Sequence, residues 1–465
     1  MRRYWIAAAA GYVVLVAFAI WFGGLNQDEG WYLYAANMVA GGKTLYGDFA
    51  FTQAPVMPVV YSLFAPVWNA SGLLGARMFT AALGLIAAVF AAGLARRVAD
   101  AENRDTAALV AFLLLGNNLY HLYFTAIPKT YALASAFALA GFYLLTFRHP
   151  LFAAASAVAL AFAAGTRISL AVLPAVVWIW ILCRREYLRA AVFAVAGFLA
   201  LALVFGPFLA DPAAREGLIA AQSYHALREG SGVFFSIGSV SRLVRWYLPV
   251  FVVLGLGGFK KATMEAVAFL AVFLVQMAAP FPYEDYQVPV MGLLAAYAAA
   301  NFTARRGALA ALWLSWACAF GNPLLEKWTT DGQDRFWTLK KDKSELATLR
   351  EVAREIESED PGGKELLTQD LYLAVETGRK VPDGLEMGPF AELSPDEWRT
   401  LLGSAPCPVA ALSAYSFAIL PPGCSERPVD EQMEFWNILK RNYSLVRRVE
   451  RFGQNSTSLL VLKRK

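Results

Sequence analysis

Apolar residues run in long unbroken stretches along this chain, and charged residues crowd into short clusters between them. A helix packed on a soluble core keeps one polar face, whereas a helix that is apolar all round for about 20 residues has the length and surface to cross a membrane. The pattern predicts about eleven spans, at 4–22, 73–95, 106–120, 128–146, 151–165, 168–183, 190–210, 243–258, 264–279, 287–303 and 307–322. Basic clusters fall on alternate connections: Arg2-Arg3, Arg96-Arg97 with Arg104, Arg148, Arg184-Arg185 with Arg189, Lys260-Lys261 and Arg305-Arg306. Positive charge marks the cytoplasmic side, so the expected setting is the cytoplasmic (inner) membrane with the N-terminus in the cytoplasm. The other connections then lie outside. They carry Asp28, Glu29, Lys43, Asp48, His121, Lys129, Arg167, the stretch 211–245, and the tetrad Tyr283, Glu284, Asp285 and Tyr286. Arg2-Arg3, the apolar run and Ala17-Phe18-Ala19 also fit a cleaved signal peptide. An anchored span is the expectation, because cleavage would remove the helix that holds Asp28.

Past residue 322 the pattern changes to that of a soluble domain of ordinary size, and an odd number of spans places it outside. Two domains are expected: 1–322 in the membrane, including an outer loop 24–72 with membrane-lying helices at Trp31 to Val39 and Pro55 to Trp68, and 323–465 as an extracytoplasmic α/β domain. Ser344 to Ser358 has helical apolar spacing at Leu346, Leu349, Val352 and Ile356. Leu366-Leu367-Thr368 reads as a short strand, Asp370 as a helix cap, and Gly378 as the stop after Leu371 to Thr377. Ser394-Pro-Asp-Glu397 is a capping box with proline in the first turn. Val409 to Leu412, Phe417 to Leu420, Leu445 to Val449 and Ser458 to Leu462 read as strands.

Composition narrows the function classes. With 58% hydrophobic and 17% charged residues, the net charge of +5 is accounted for largely by membrane-flanking Lys and Arg, so no nucleic-acid partner is needed. There is no Walker motif, no Cys-x-x-Cys and no His-Glu-x-x-His. Gly255-Leu-Gly-Gly258 lies inside an apolar run and suits helix packing better than a dinucleotide turn. Cys183 and Cys318 lie in or beside spans as packing thiols, whereas Cys407 and Cys424, outside, are expected to pair as a disulfide. Without a nucleotide site, an activated substrate has to arrive by another route, and a membrane lipid is the evident carrier.

Asp28-Glu-Gly-x-Tyr32, then Gly41-Gly-Lys-Thr-Leu-Tyr-Gly-Asp48 and Gln53-Ala-Pro55, resembles the first outer loop of the GT-C fold glycosyltransferases, in the branch with protein O-mannosyltransferases and the lipid A aminoarabinose transferase. The likeness is specific over residues 1–150 and continues as general architecture to 322. Residues 366–379 resemble the C-terminal domains of prokaryotic members. The resemblance implies transfer of a monosaccharide from a polyprenyl-phosphate donor to an extracytoplasmic lipid, glycan or protein acceptor. It also implies that the first acid of the loop pair is the base.

That chemistry needs a base for the acceptor hydroxyl, cations for the departing phosphate, and a dry pocket for the sugar. Asp28 matches the family base, with Glu29 beside it to hold the acceptor or act on Asp28 by like-charge repulsion; an acid there also suits a helix N-cap. Asp48 and Gln53 are substrate-contact candidates. Asp48 beside Gly47 also suits a turn, and Gln53-Ala54 replaces the acid followed by lysine that aminoarabinose transferases tend to carry at a phosphate or metal contact. Lys129 and Arg167 lead the phosphate candidates, followed by Arg242 and Arg245, although helix-end cations also snorkel into headgroups. Tyr283, Glu284 and Asp285 are candidates for the sugar pocket, and aromatic residues also gather at membrane interfaces without binding anything. A divalent metal stays open as a cofactor, with Asp28 and His225 as weak ligand candidates; His121 is the other outward histidine. The alternative class is a transporter or flippase for lipid-linked glycans, which predicts ionisable groups near the bilayer midplane rather than at its outer boundary.

Overall fold

The computed structural model describes residues 1–227, 230–258, 263–302, 313–314, 317, 343–391, 393–404, 407–413, 429–454 and 457–465, with the side chains of 224–227, 404 and 429–432 outside that description. All of the expected span 307–322 except residues 313, 314 and 317, the strand Phe417 to Leu420, the clusters Lys260-Lys261 and Arg305-Arg306, and both Cys318 and Cys424 fall outside the described residues. The chain forms two compact units: Met1–Ile20, Thr52–Met57 and Met78–Asp331 in the first, and Trp21–Phe51, Pro58–Arg77 and Gly332–Lys465 in the second. These units cut across the boundary expected at 322, because the outer loop groups with the C-terminal region.

The first unit is helical. Helix α1 (Arg2–Phe22), the 34-residue α4 (Ala65–Val98) and Tyr187–Ala210 are each long and apolar enough to cross a membrane, and α4 breaks its helical geometry at Gly72. Thr130–Leu145, Pro150–Thr166, Ile168–Cys183 and Met264–Met277 are shorter apolar helices. Two expected spans turn out to be bent pairs. Arg104–Gly116 meets Leu119–Ala126 at 67°, and Val233–Trp246 meets Leu248–Gly257 at 78°.

The first bend falls at Asn117-Asn118. The Asn118 side chain accepts from His121 N at 3.0 Å, capping a new helix, and the Asn117 amide donates to Ala8 O at 3.1 Å. At the second, Pro249 sits in the first turn of the new helix, where its missing N–H does no harm. The expected span 287–303 likewise begins as a 3-10 turn, Glu284–Val290, containing Pro289, before Met291–Asn301.

Small residues set the helix spacing. A Cβ added at Gly84, Gly141 or Gly292 would come within 2.9 Å of Thr125, 2.8 Å of Leu160 and 2.5 Å of Leu139 respectively. The buried stripe of Pro150–Thr166, which includes Ala153, Ala157, Leu160, Ala161 and Ala164, repeats at helical spacing. On Tyr187–Ala210, by contrast, Phe198 and Leu203 are 72% and 68% exposed, an outward apolar face suited to lipid rather than water.

The second unit joins α2 (Gln27–Ala40), α3 (Val56–Ser62, most of it in this unit) and the start of α4 to the C-terminal α/β region. Its helix Glu345–Glu359 buries Leu346, Leu349, Val352 and Ile356, as the apolar spacing predicts. Strands β1 (Val409–Ser413), β2 (Tyr443–Phe452) and β3 (Thr457–Arg464) form an antiparallel sheet in the order β1-β3-β2, with Val409 opposite Lys463 and Leu445 opposite Leu462. Leu367 contributes only a parallel bridge to Ala410, so the expected strand at 366–368 is a single pairing. Gly378 ends Leu371–Thr377 in the left-handed region at φ +66°, and Ser394 and Glu397 form the expected reciprocal cap. Asp370, read as a cap, instead accepts from Tyr372 OH at 2.9 Å.

Candidate functional site

In the second unit, the sequence Asn26-Gln27-Asp28-Glu29-Gly30 starts α2, and the side chains of Asn26 and Glu29 have separate tasks there. Asn26 is the N-cap, so Asp28 is not: the Asn26 side chain accepts from Asp28 N, and Glu29 reaches back to accept from Asn26 N at 2.8 Å. Glu29 is fully buried, and both its oxygens accept from Arg77 at 2.7 Å, a bidentate pair with no exposure on either partner. Arg77 also donates to Gly23 O at 3.0 Å and Gly24 O at 2.9 Å, tying the chain ahead of α2 to α4. Gly30 is required by packing. A Cβ there would lie 2.1 Å from Tyr372 N, because α2 rests against the backbone of Leu371–Thr377.

From Leu25 to Ala36 every residue is buried except Asp28, which is partly exposed. A carboxylate at the accessible position of an otherwise packed helix start is suited to meeting a ligand, and its backbone is held by neighbours with other duties. Further along the loop, Asp48 accepts from Thr44 N at 2.6 Å and closes an exposed turn. Tyr34, buried on α2, donates no proton readily: burial pushes its hydroxyl up to about 12, and its oxygen accepts from Val381 N at 3.0 Å.

In the first unit the structure gathers several of the expected residues. Lys129, at the cap before Thr130–Leu145, lies 3.5 Å from Asp285 Oδ2, which also accepts from Tyr131 OH at 2.9 Å. Arg167 follows Pro150–Thr166. Its guanidinium lies 5.0 Å from the ring centre of Tyr131 and 4.4 Å from that of Tyr286, and it reaches Thr130 Oγ1 at 3.5 Å. Arg242 pairs with the buried Glu284 at 3.1 Å, while Arg245 lies over the Trp246 ring. Tyr283 packs edge-on against Phe235 and Tyr286 and stacks on Phe281. The turn 283–286 is thus a buried acidic ridge to which Lys129 and Arg242 are paired, with Arg167 on the aromatic ring beside it. Gln53 belongs to this unit as well.

His121 is buried, with Nδ1 2.9 Å from Tyr247 OH, and the His225 side chain lies outside the described residues. Among the described residues no group of three or more His, Cys, Asp and Glu side chains is arranged to hold a metal ion. Cys407 is a buried thiol on the first strand's flank, and its expected partner Cys424 lies outside the described residues. Sequence reasoning passed over Arg77, Tyr131, Glu345 and Gln454. Arg77 could have been found, since an arginine inside an apolar run needs a partner, and Asn26 to Glu29 has capping-box spacing.

No protein-family model and no curated protein sequence matches the chain. Solved structures do. ArnT from Cupriavidus metallidurans, bound to undecaprenyl phosphate, is 17% identical at a TM-score of 0.62, covering 98% of this chain and 97% of that one. The oligosaccharyltransferase of Archaeoglobus fulgidus in its apo form is 10% identical at 0.54, covering 88% of this chain and 69% of that one. The same archaeon's AglB, in complex with an inhibitory peptide and a dolichol-phosphate, aligns at 0.50 with 10% identity over 89% of this chain and 70% of that one. The resemblance seen in the first outer loop therefore extends to the architecture: the chain is a polytopic helical membrane protein with the GT-C fold.

Proposed function

We propose that this protein is an integral-membrane glycosyltransferase that moves a monosaccharide from a polyprenyl-phosphate donor to a hydroxyl-bearing acceptor outside the cytoplasmic membrane, inverting the anomeric centre. The observation that carries this reading is Asp28: the one partly exposed residue between Leu25 and Ala36, in the first turn of a helix whose cap and ion pair belong to Asn26, Glu29 and Arg77. A fold shared with ArnT, whose structure holds undecaprenyl phosphate, supports a lipid-phosphate donor.

In the proposed reaction Asp28 takes the acceptor hydroxyl proton as that oxygen attacks the anomeric carbon. The bond from this carbon to the phosphate oxygen breaks, and polyprenyl phosphate leaves with the electron pair. No covalent sugar-enzyme intermediate forms. The leaving phosphate is an anion, and Lys129 and Arg167 are the proposed cations for it. Lys129 lies beside Asp285, and Arg167 over two aromatic rings. Arg242 and Arg245 are secondary candidates, and Glu284 and Asp285 orient the cations rather than contact sugar. Glu29 supports Asp28 through Arg77 and does not touch substrate.

The test is reconstitution of the purified protein into liposomes with a polyprenyl-phosphate monosaccharide labelled in the sugar, together with an acceptor fraction from the cell envelope. Formation of a labelled glycoside of inverted configuration, with one polyprenyl phosphate released per sugar, supports the reading. Movement of intact donor between leaflets without bond cleavage would make the protein a transporter instead.

A further inference from the structure

The chain leading into α2 presents five successive N–H groups, from Leu25 to Glu29, and all are taken. Three stay local: Asn26 N donates to Glu29 Oε1, Asp28 N to Asn26 Oδ1 and Glu29 N to Asn26 O. The other two cross to the C-terminal region of the same compact unit. Leu25 N donates to Glu345 Oε2 at 2.7 Å, 320 residues on, and Gln27 N donates to Gln454 Oε1 at 3.0 Å, 427 residues on. We propose that the C-terminal region is a positioning device for Asp28, acting through Glu345 and Gln454, whose side-chain oxygens hold the backbone just ahead of that carboxylate.

This rests on the reading of Asp28 as the base, and three features carry it. Glu345 is buried, 5% exposed, and lies in the first turn of Glu345–Glu359, a helix whose apolar face is fixed in the domain core. A carboxylate accepting from a backbone N–H at 2.7 Å is a charge-assisted bond, stronger and more directional than a neutral one. Gln454 comes from the turn between β2 and β3, which Gly453, at φ +73°, brings so close to Tyr372 that a Cβ would fall 2.7 Å from the hydroxyl. A third tie lies on the far side of Asp28, where Gly30 meets the backbone of Tyr372 and the Trp31 indole donates to Met387 Sδ at 3.2 Å. Residues 25, 27, 30 and 31 are thus gripped by the C-terminal region while residue 28 is left partly open. General-base catalysis demands such placement, since a shift of about 1 Å can lower turnover a hundredfold. Glu345 and Gln454 are positioning residues: they act on Asp28 through the backbone and touch no substrate.

The experiment uses full-length protein in liposomes with a polyprenyl-phosphate sugar donor, comparing Glu345→Ala, Glu345→Gln and Gln454→Ala, with Asp28→Asn alongside. Turnover, donor KM and the thermal midpoint are read for each. Glu345→Ala is expected to lower kcat by about tenfold or more with donor KM changed less than about twofold. Glu345→Gln, which keeps an oxygen acceptor, is expected to recover most of that loss. Gln454→Ala, an exposed turn position that tolerates change, is expected to lower kcat by about threefold at an unchanged midpoint, and it decides the matter alone if Glu345→Ala does not fold. Wild-type kcat in both alanine variants, or a loss that glutamine does not restore, overturns the positioning role. Inactive Asp28→Asn beside fully active alanine variants sinks this inference only, whereas active Asp28→Asn sinks the base assignment and this inference with it.

Discussion

Breaking the Glu29–Arg77 pair tests how rigidly the start of α2 is held. Both side chains are wholly buried, the guanidinium meets both carboxylate oxygens at 2.7 Å, and two further donors meet Gly23 O and Gly24 O. Removing one member of a buried pair leaves the other charge without compensation, at about 3–5 kcal/mol. Glu29→Gln strands the guanidinium, and Arg77→Met strands the carboxylate together with two backbone carbonyls. Each single variant should therefore lose about 3–5 kcal/mol, a large fraction of the roughly 5–15 kcal/mol that holds a typical protein together. The double variant Glu29→Gln/Arg77→Met has no unpaired charge and should lose markedly less than the sum. The assay is denaturant unfolding of full-length protein in detergent, with a fluorescence probe in the second unit, compared across the four members of the cycle. A Glu29→Gln loss below about 1 kcal/mol, or additivity within about 0.5 kcal/mol, would refute the claim that this pair anchors the loop.

Other consequences follow from single positions. Gly30→Ala places a methyl 2.1 Å from Tyr372 N, a backbone atom that cannot swing aside, so it should destabilise the second unit by about 1–3 kcal/mol or more, read as a lowered denaturation midpoint. Glu357 is held below the ordinary carboxylate value of 4.5, first by the Gly362 N–H and then by Arg379, so its contribution is present above that value and lost as pH falls through the folded-state value. Acid titration of wild type and Glu357→Gln should show wild type losing more stability below pH 4.5. Burial pushes the Cys407 thiol up to about 12, so iodoacetamide at neutral pH should label it slowly in folded protein and quickly in denaturant; equal rates would contradict the buried placement.

Much of the fold is legible along the chain because the membrane enforces it. Apolar runs mark the helices, and the spacing of Leu346, Leu349, Val352 and Ile356 marks an amphipathic one, because burial follows helical period directly. The bends at Asn117-Asn118 and Tyr247 are less legible: apolar composition continues across them, and the breaks come from an asparagine cap and from Pro249. The site is legible in part. Asp28 and Glu29 stand out as an acid pair, but adjacent identical charges conceal opposite roles, one partly open and one buried on Arg77. Glu345 and Gln454 are unreadable from sequence, since nothing local tells a side chain that it will meet a backbone N–H hundreds of residues away. Lys129, Arg167 and Asp285 are each candidates from the chain alone, and only tertiary structure brings Lys129 to Asp285 and Arg167 to Tyr131 and Tyr286.

The most direct measurement is single-turnover transfer by Asp28→Asn against wild type, in liposomes with saturating polyprenyl-phosphate sugar and donor binding measured in parallel. Loss of a positioned general base predicts a fall of about 10²–10⁴-fold in the transfer rate with donor affinity within a few-fold of wild type. Transfer at near wild-type rate with donor still bound would contradict the account, because asparagine cannot take the acceptor proton.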